Sequence, residues 1–520
     1  MAGWTSEARA YPSGVVATPH YLATAAGLAV LDRGGNAMDA AIAANLVLGV
    51  VTPYLCGFGG DVLAIVWDGG LHGYLGVGRS PAAATVDGVR ERTGAEEMPV
   101  FGPHTVTVPG APRGWFDLLE RFGTRTFGDL ATPALRYATE GFPLTRRGAR
   151  YFSGTRALYD HFGLPDFGRA HPRTGPGDVV RQPGLARTIR TLAEEGPAAY
   201  YEGPIADAIV ERLGRDGSFM TAGDLAAHAG EWVTPLRAGF HGVEVAELPP
   251  PTQGVTALAA LRVAEALDLP ADGAARTHLL VEATKRALVD RNRFVGDPAA
   301  MTVAAEDLYA HERVAALAAA IDPDRAWRPP PDPGPDGGTA YLCAADRDGL
   351  LVSLIQTNFT AAGSGVRVEP WGINLHNRGS SFRFRPGHPN ALGGAKLPMH
   401  TLIPALALRG GRPWLVFGAM GGHTQAQTHL QLLVRTVVDG DDPQAAISAP
   451  RWALDPDHWH LGVESRFPEA WRADLAARGH ELRVVRAYDD GMGHAHAVEV
   501  AAAGYRVATD PRAEGAAAGI

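Results

Sequence analysis

Apolar positions recur along the chain with two different periods, which predict a mixture of helices and strands. Residues 20–50 are rich in alanine and predict helices, and residues 115–320 carry mainly amphipathic helices, for example at 256–267. Residues 339–358 and 402–418 are rich in β-branched and apolar residues, which favours strands. We find no internal repeat in this pattern.

A predicted hairpin follows directly after the least structured part of the chain. Residues 329–338 consist wholly of proline, aspartate and glycine, a composition that does not pack as a helix or a strand. Two apolar runs at 339–345 and 350–357 flank an Asp348-Gly349 turn and predict a buried hairpin. The hydroxyl of Thr339 therefore stands where exposed chain enters a buried strand.

Composition and charge limit the classes of protein to which this chain can belong. Its 520 residues are 46% hydrophobic and 20% charged, so it can bury a large core, and length alone suggests two or three domains. The net charge of −9 comes without a Lys/Arg stripe, which argues against nucleic acid as a partner. No apolar run approaches 18 residues and residues 1–20 lack the pattern of a secretory signal, so we expect a cytoplasmic protein without a membrane partner.

The cysteine and histidine patterns give little sign of disulfide or metal chemistry. Cys56 and Cys343 are too few for a disulfide framework and lie in apolar runs typical of buried thiols. The pairs at 458/460 and 494/496 are two residues apart and lack matched Cys or Glu partners, which is typical of loop or strand histidines. We therefore expect no metal and no cofactor.

Thr339 is a candidate nucleophile of a chain that cuts itself. A cut between Gly338 and Thr339 would free an α-amine, which titrates near about pH 7.7–8.0, so that one residue would supply nucleophile and base. Gly338 suits the strained turn of such an attack because it lacks a Cβ. Taken alone, the segment is more simply interpreted as an ordinary threonine at the start of a strand.

Short motifs in a fixed order run along almost the whole chain and support the first interpretation. In order and spacing the set resembles the γ-glutamyltransferase family of N-terminal-nucleophile hydrolases. The motifs occupy residues 34–41, 52–60, 78–81, 108–115, 249–254, 282–291, 396–401, 420–422, 449–451 and 509–512.

The resemblance implies a fold and a catalytic apparatus. The fold is a four-layer αββα sandwich, cut after Gly338 into fragments 1–338 and 339–520 that together form one unit. Thr339 attacks the substrate carbonyl while its α-amine relays the proton. Thr357 hydrogen-bonds the nucleophile, and backbone N–H groups at Gly421 and Gly422 stabilise the developing negative charge.

The resemblance also assigns residues that would bind the substrate. Arg79 falls on an arginine that holds the substrate's carboxylate, a role that suits a planar guanidinium. His400 and Thr401 stand in place of a Ser-Ser pair that grips the same group.

Three departures from the family pattern bear on the substrate. Phe359, Arg378 and Ser381 occupy the positions of Asn, Gln and Asp side chains that bind an α-ammonium group in typical members. An apolar ring, a cation and a hydroxyl do not suit an ammonium group, and Arg378 would instead attract an acid or a carbonyl. The chain is therefore closest in pattern to the acylase-like branch, which includes cephalosporin and glutaryl acylases.

Three hypotheses for function remain open from the sequence. The first is a self-cleaved hydrolase or acyltransferase that cleaves a γ-glutamyl or related dicarboxylic acyl amide, with water or an amine as acceptor. The second is a natural-product enzyme that uses the same Thr339 to hydrolyse a C–C bond next to an oxalyl-type group. The third is an uncleaved, non-enzymatic scaffold. The partners implied by the first are a small-molecule acyl substrate and the two fragments of the chain, with a homodimer of the processed heterodimer as one option.

Overall fold

Two seven-stranded antiparallel sheets pack face to face and are covered by helices on their outer faces. The structure is a computed structural model that describes residues 7–332, 337–455 and 457–520. This arrangement confirms the four-layer αββα sandwich expected from the sequence.

The strand order of both sheets mixes segments from the two ends of the chain. The first sheet runs, in spatial order, Arg9–Tyr11, Gly504–Thr509, His494–Ala501, Arg412–Met420, Ala405–Arg409, Val243–Glu247 and Leu236–Phe240. The second sheet runs Ala516–Gly519, Val15–Thr18, Gly338–Ala345, Leu351–Phe359, Asp61–Trp67, Leu71–Gly76 and Glu231–Val233. A small three-stranded sheet, Trp452–Leu454, Leu461–Glu464 and Leu482–Val485, lies outside them.

Helices form the outer layers of the sandwich. The N-terminal part of the chain contains helices Tyr21–Asp32, Ala37–Val51, Val86–Thr93, Ala111–Phe122, Phe127–Glu140, Arg146–His161, Asp166–Ala170, Pro183–Glu195, Ala198–Tyr201, Pro204–Arg215 and Ala222–Ala226. The later helices are Gly254–Glu265, Ala274–Phe294, His311–Ala319, Thr424–Leu433, Pro443–Ser448 and Glu469–Ala477. In the described part of the chain no helix is long and apolar enough to cross a membrane.

Three apolar layers hold the sandwich together. One lies between the two sheets and joins residues of both, such as Ile355 and Val416. A second joins the sheet that contains Leu342 to the fully buried helix Ala37–Val51, and a third joins the sheet that contains Leu415 to later helices. Burial of apolar area on both faces of each sheet explains why the strands read as nearly continuous apolar runs.

The predicted hairpin is present at the centre of the second sheet. Strands Gly338–Ala345 and Leu351–Phe359 pair in antiparallel register around the turn, where Gly349 has a φ of 85°. Cys56 and Cys343 are both buried free thiols, as their apolar surroundings predict. Burial raises the pKa of Cys56 to about 12, so its thiol stays protonated.

Candidate active site

The candidate catalytic residues meet at one end of the two sheets. Thr339 is the second residue of strand Gly338–Ala345 in the second sheet, and Thr357 lies near the end of the adjacent strand Leu351–Phe359. Gly421 and Gly422 directly follow strand Arg412–Met420 of the first sheet. The fold therefore brings together residues that are far apart in the sequence.

The scissile bond predicted from the sequence lies in direct contact with Thr357. In the uncut chain the Thr357 hydroxyl donates to the carbonyl oxygen of Gly338 at 2.5 Å, and it accepts from the backbone N–H of Phe359 at 2.7 Å. Both Thr339 and Thr357 are buried. A donor therefore points at the carbonyl that Thr339 would attack during self-cleavage.

An irregularity in the hairpin coincides with the candidate nucleophile. Gly338 pairs with Phe359, but Ala340 pairs with Gln356, so Thr339 alone faces two residues of the partner strand. Such a β-bulge bends the strand and re-aims a side chain, and bulges are frequent next to active sites. The extra residue belongs to strand Leu351–Phe359, so the bulge interrupts the alternation of that strand at Thr357 and Asn358, directly opposite Thr339.

Gln425 is a further polar contact of the nucleophile, and sequence reasoning did not assign it a role. Its side-chain amide donates to the Thr339 hydroxyl at 3.3 Å, while its carbonyl oxygen accepts from the N–H of Ile403 at 3.1 Å. The only sequence signal for it is the polar run at 425–429 after two glycines, which lies at the start of helix Thr424–Leu433.

The Gly421-Gly422 turn lies at the N-terminus of this helix. Gly421 has a φ of 128° and Gly422 a φ of 55°, conformations that favour glycine. Their carbonyl groups are held by protein donors, since Thr424 donates to Gly421 and Gln253 donates to Gly422 at 2.9 Å. Within the described residues neither backbone N–H donates to another group, so both are available beside a helix N-terminus, where negative charge is favoured.

The three departures from the family pattern are all buried, and Phe359 and Arg378 are in direct contact. The guanidinium carbon of Arg378 lies 3.7 Å from the centre of the Phe359 ring, a cation–π contact. Phe359 has a φ of 72°, and a Cβ at Gly337 would come within 2.3 Å of its ring. The ring therefore packs tightly against the residue just before Gly338, which leaves no room there for a side chain.

Ser381 and Phe359 line a small cavity of about 20 Å³. The Ser381 hydroxyl donates to the carbonyl of Met399 at 3.1 Å. An acid, Asp332, also lines this cavity and lies 3.7 Å from Arg383. The volume is close to that of a single water molecule, so the uncut chain has no room here for an acyl group.

Arg79 is not in this cavity. It lines a separate one of about 600 Å³ with residues such as His228 and Leu397. Its side chain is 52% exposed and lies 3.7 Å from Asp297, and it donates to the carbonyl of Ala395 at 3.0 Å. The structure of the uncut chain thus does not bring Arg79 together with Phe359 and Ser381, and its role as carboxylate anchor stays a prediction.

Both ring nitrogens of His400 face acceptors within the protein. Its Nε2 atom lies 3.1 Å from a carboxylate oxygen of Asp61, and its Nδ1 atom lies 2.8 Å from the carbonyl of Pro398. Both ring nitrogens are therefore engaged by the protein. The neighbouring Thr401 is buried, and its hydroxyl has no hydrogen-bond partner within the described residues, so Thr401 rather than His400 retains a free polar group.

Asp61 is the second functional candidate that the sequence did not reveal. It lies opposite Thr357 in the register of neighbouring strands and is completely buried. Burial alone would raise the pKa of its carboxyl, but the charges and hydrogen bonds of His376 and His400 hold that pKa well below its usual value. Asp61 is thus a buried carboxylate that stays ionised.

Potential metal ligands converge at one point in the described part of the chain, and this group contains none of the paired histidines noted in the sequence. The ligand atoms of His278, Glu282 and His480 lie within 4.8 Å of one another. The Glu282 carboxylate, however, accepts from Lys285 and Arg286 at 2.8 Å each. Two cations already neutralise this acid, so the arrangement is that of a buried ion-pair network.

The sandwich with a buried threonine at the start of a central strand has the fold of the N-terminal-nucleophile hydrolases. The sequence profile described as gamma-glutamyltranspeptidase matches residues 23–520. The chain belongs to the γ-glutamyltranspeptidase family and is an enzyme, which decides against the non-enzymatic scaffold.

Individual relatives agree with this assignment. The chain is 36% identical to the glutathione hydrolase-like YwrD proenzyme of Bacillus subtilis, over 97% of this chain and 98% of the relative. It is also 36% identical to the oxamate amidohydrolase proenzyme of Klebsiella pneumoniae, again over 97% and 98%. The crystal structure of cephalosporin acylase from Bacillus halodurans superimposes with a TM-score of 0.93 at 35% identity, covering 100% of this chain and 99% of that one.

Proposed function

We propose that the protein is a self-cleaving hydrolase that uses Thr339 as its N-terminal nucleophile and acts on dicarboxylic acyl amides. The observation that carries the proposal is the contact between the Thr357 hydroxyl and the carbonyl oxygen of Gly338, next to Thr339 in a buried bulge. The names of two relatives as proenzymes support a processed chain.

Self-cleavage needs an attack on the Gly338 carbonyl from within the chain. The Thr339 oxygen forms a bond to this carbon, the C–N bond to Thr339 breaks, and the hydroxyl proton passes to the departing nitrogen. Water then hydrolyses the resulting ester, which leaves a carboxylate on Gly338 and restores the Thr339 hydroxyl. Because Thr357 already donates to the carbonyl oxygen, it is suited to stabilise the negative charge that develops there.

Catalysis reuses the same hydroxyl on a separate amide. The free α-amine of Thr339 relays the proton from the hydroxyl to the leaving amine, and an acyl-enzyme forms. The two available N–H groups of Gly421 and Gly422, beside the N-terminus of helix Thr424–Leu433, can receive the substrate's oxyanion. Water then releases the acid. The hydrolase names of the relatives favour water over an amine as acceptor.

The direct test of self-cleavage uses the wild-type protein. Denaturing electrophoresis and intact-mass measurement should give two fragments, residues 1–338 and residues 339–520. N-terminal sequencing of the shorter fragment should begin at Thr339. A purified and active protein that remains a single chain would contradict the mechanism.

The buried wall near the nucleophile supports an acyl group that lacks an ammonium substituent. Arg378 lies over Phe359, and the Ser381 hydroxyl donates to the carbonyl of Met399. Asp332, the acid in this wall, is beside Arg383. An α-ammonium group would be buried near like charge without an acid of its own, which is costly. Oxamate, in the name of one relative, likewise carries a carboxylate and no ammonium group.

We therefore expect the processed enzyme to prefer a glutaryl amide to the γ-glutamyl amide with the same leaving group. The kcat/KM of the two compounds should be compared at one pH, so that only the α-substituent differs. Replacing Ser381→Asp together with Arg378→Gln should move the ratio toward the γ-glutamyl amide. A wild-type preference for the γ-glutamyl amide by about tenfold, or about 1.4 kcal/mol, would show that another group binds the ammonium.

A further inference from the structure

Gln425 is a buried polar residue that links the candidate nucleophile to the other sheet. Its side-chain amide donates to the Thr339 hydroxyl at 3.3 Å, and its exposed fraction is zero. Thr339 belongs to the second sheet, whereas Gln425 lies in the first turn of helix Thr424–Leu433, which follows a strand of the first sheet. Among the residues that the structure describes, Gln425 is the hydrogen-bond partner of the Thr339 hydroxyl.

The orientation of the Gln425 amide follows from its two partners. The backbone N–H of Ile403 can only donate, so the side-chain oxygen of Gln425, 3.1 Å away, must face it. The NH₂ group then faces the Thr339 hydroxyl. A flipped amide would place its NH₂ group against the N–H of Ile403, and two buried donors that face each other are costly. Gln425 is therefore a donor to Thr339 and not an acceptor.

A donor at this position determines how Thr339 can use its oxygen. A hydroxyl has one O–H and two lone pairs. When Gln425 occupies one lone pair and the O–H points to the proton acceptor, the other lone pair is the one that attacks. A hydrogen bond donated to the oxygen also favours its negative form as the proton leaves. Thr357 does not donate to Thr339 in the uncut chain, because its single O–H is donated to the Gly338 carbonyl.

The same short segment carries the candidate oxyanion donors. Gly421 and Gly422 lie just before helix Thr424–Leu433, and the backbone N–H of Gln425 donates to the carbonyl of Gly422 at 3.3 Å. The side chain of Gln425 and the N–H groups of the two glycines therefore move as one unit. Its contact with Thr339 fixes the distance between the attacking oxygen and the place that would receive the oxyanion, and reaction rates are sensitive to errors of about 1 Å in such a distance.

We propose that Gln425 is a positioning residue of the nucleophile, which orients the Thr339 hydroxyl for attack and aligns it with the N–H groups of Gly421 and Gly422. It forms no covalent bond and takes up no proton, and its contribution is one hydrogen bond donated to the reacting oxygen. This inference rests on the proposed function, because it takes Thr339 as the nucleophile.

Gln425→Met tests the proposal, because methionine has nearly the size of glutamine and cannot donate. The rate of self-cleavage and the kcat of the processed enzyme for a glutaryl amide should each fall by about tenfold to a hundredfold. The KM should change little, because Gln425 contacts the nucleophile and not the substrate. Self-cleavage is followed by electrophoresis and requires no substrate, so this measurement does not depend on the choice of acyl group.

Gln427→Met is the matched control, because Gln427 lies on the same helix and is 1% exposed. Its amide donates to the carbonyls of His423 and Leu454, and it accepts from the N–H of Leu454 at 2.7 Å. Loss of these contacts should lower the thermal stability at least as much as Gln425→Met does, while self-cleavage and kcat stay near their wild-type values. An equal fall of both rates in the two variants would mean that Gln425 only supports the helix, which would overturn the proposal.

Gln425→Glu is the second variant if Gln425→Met does not fold. A carboxylate still accepts from the N–H of Ile403 but cannot donate to Thr339, so the two rates should fall as they do for methionine. The comparison with the wild type is made at about pH 9, where even a carboxyl whose pKa burial has raised is largely ionised. Wild-type rates in either variant would overturn the proposal.

The same measurements separate this proposal from the proposed function. If the wild type remains a single chain, the proposed function fails and Gln425 has no nucleophile to position. If the wild type cleaves itself and the Gln425 variants cleave at the same rate, only the role of Gln425 fails.

Discussion

Replacing Thr339→Ala is expected to leave the protein as a single, inactive chain of 520 residues. Alanine removes the hydroxyl that would attack the Gly338 carbonyl, and no other hydroxyl can take over as the N-terminal residue after cleavage. Electrophoresis should show no fragments even after prolonged incubation, and hydrolysis of any acyl amide should fall to background.

Thr339→Ser is the matched control for this change. Serine keeps the hydroxyl and loses only a methyl group, so the variant should still cleave itself and retain measurable activity. Fragments from Thr339→Ala that begin at residue 339 would instead mean that another group or a protease cuts the chain. Because Thr339 is 1% exposed, an external protease would first require local unfolding.

Thr357→Val should slow self-cleavage by about a hundredfold to a thousandfold, the usual effect of removing one oxyanion donor. Valine has nearly the shape of threonine but cannot donate to the Gly338 carbonyl. The uncut fraction should be followed over time by electrophoresis after purification. The kcat of whatever enzyme matures should also fall, because the hydroxyl lies beside the nucleophile in the same strand pair.

Thr357→Ser separates the hydroxyl from the methyl group and should cleave at a rate near that of the wild type. The valine variant also leaves the buried N–H of Phe359 without its acceptor, at a cost of about 1–3 kcal/mol in stability. Thermal unfolding should therefore be measured on both variants. Cleavage of Thr357→Val at the wild-type rate would remove Thr357 from the mechanism.

The fold was predictable because its main signals are local and recur in order along the chain. The apolar runs on either side of Asp348-Gly349 predicted the hairpin, and the alanine-rich run at 20–50 predicted helices. Each signal depends on side-chain periodicity or on backbone freedom, both of which are properties of short segments.

The contacts of the site were not predictable in the same way. Asp61 and His400 are separated by 339 residues, and Gln425 and Thr339 by 86. Nothing in a short segment tells which distant polar group will satisfy a buried donor, because that depends on how the sheets pack. The contact between His400 and Asp61 is an example, since Asp61 lies on strand Asp61–Trp67 and His400 lies in a segment far along the chain.

The strand order has a consequence for the stability of a chain that is cut at the proposed bond between Gly338 and Thr339. Strands from before and after residue 338 are neighbours at three places in the second sheet and at two in the first. The two fragments therefore contribute paired strands to both sheets, and neither could dissociate without breaking strand pairs in each sheet. A single chain can form these mixed sheets by intramolecular folding, whereas two separated fragments would first have to associate in solution. The proposed scissile bond between Gly338 and Thr339 is therefore needed to reach the folded state but not to keep it, and we expect recovery of a denatured, processed protein to depend on its concentration.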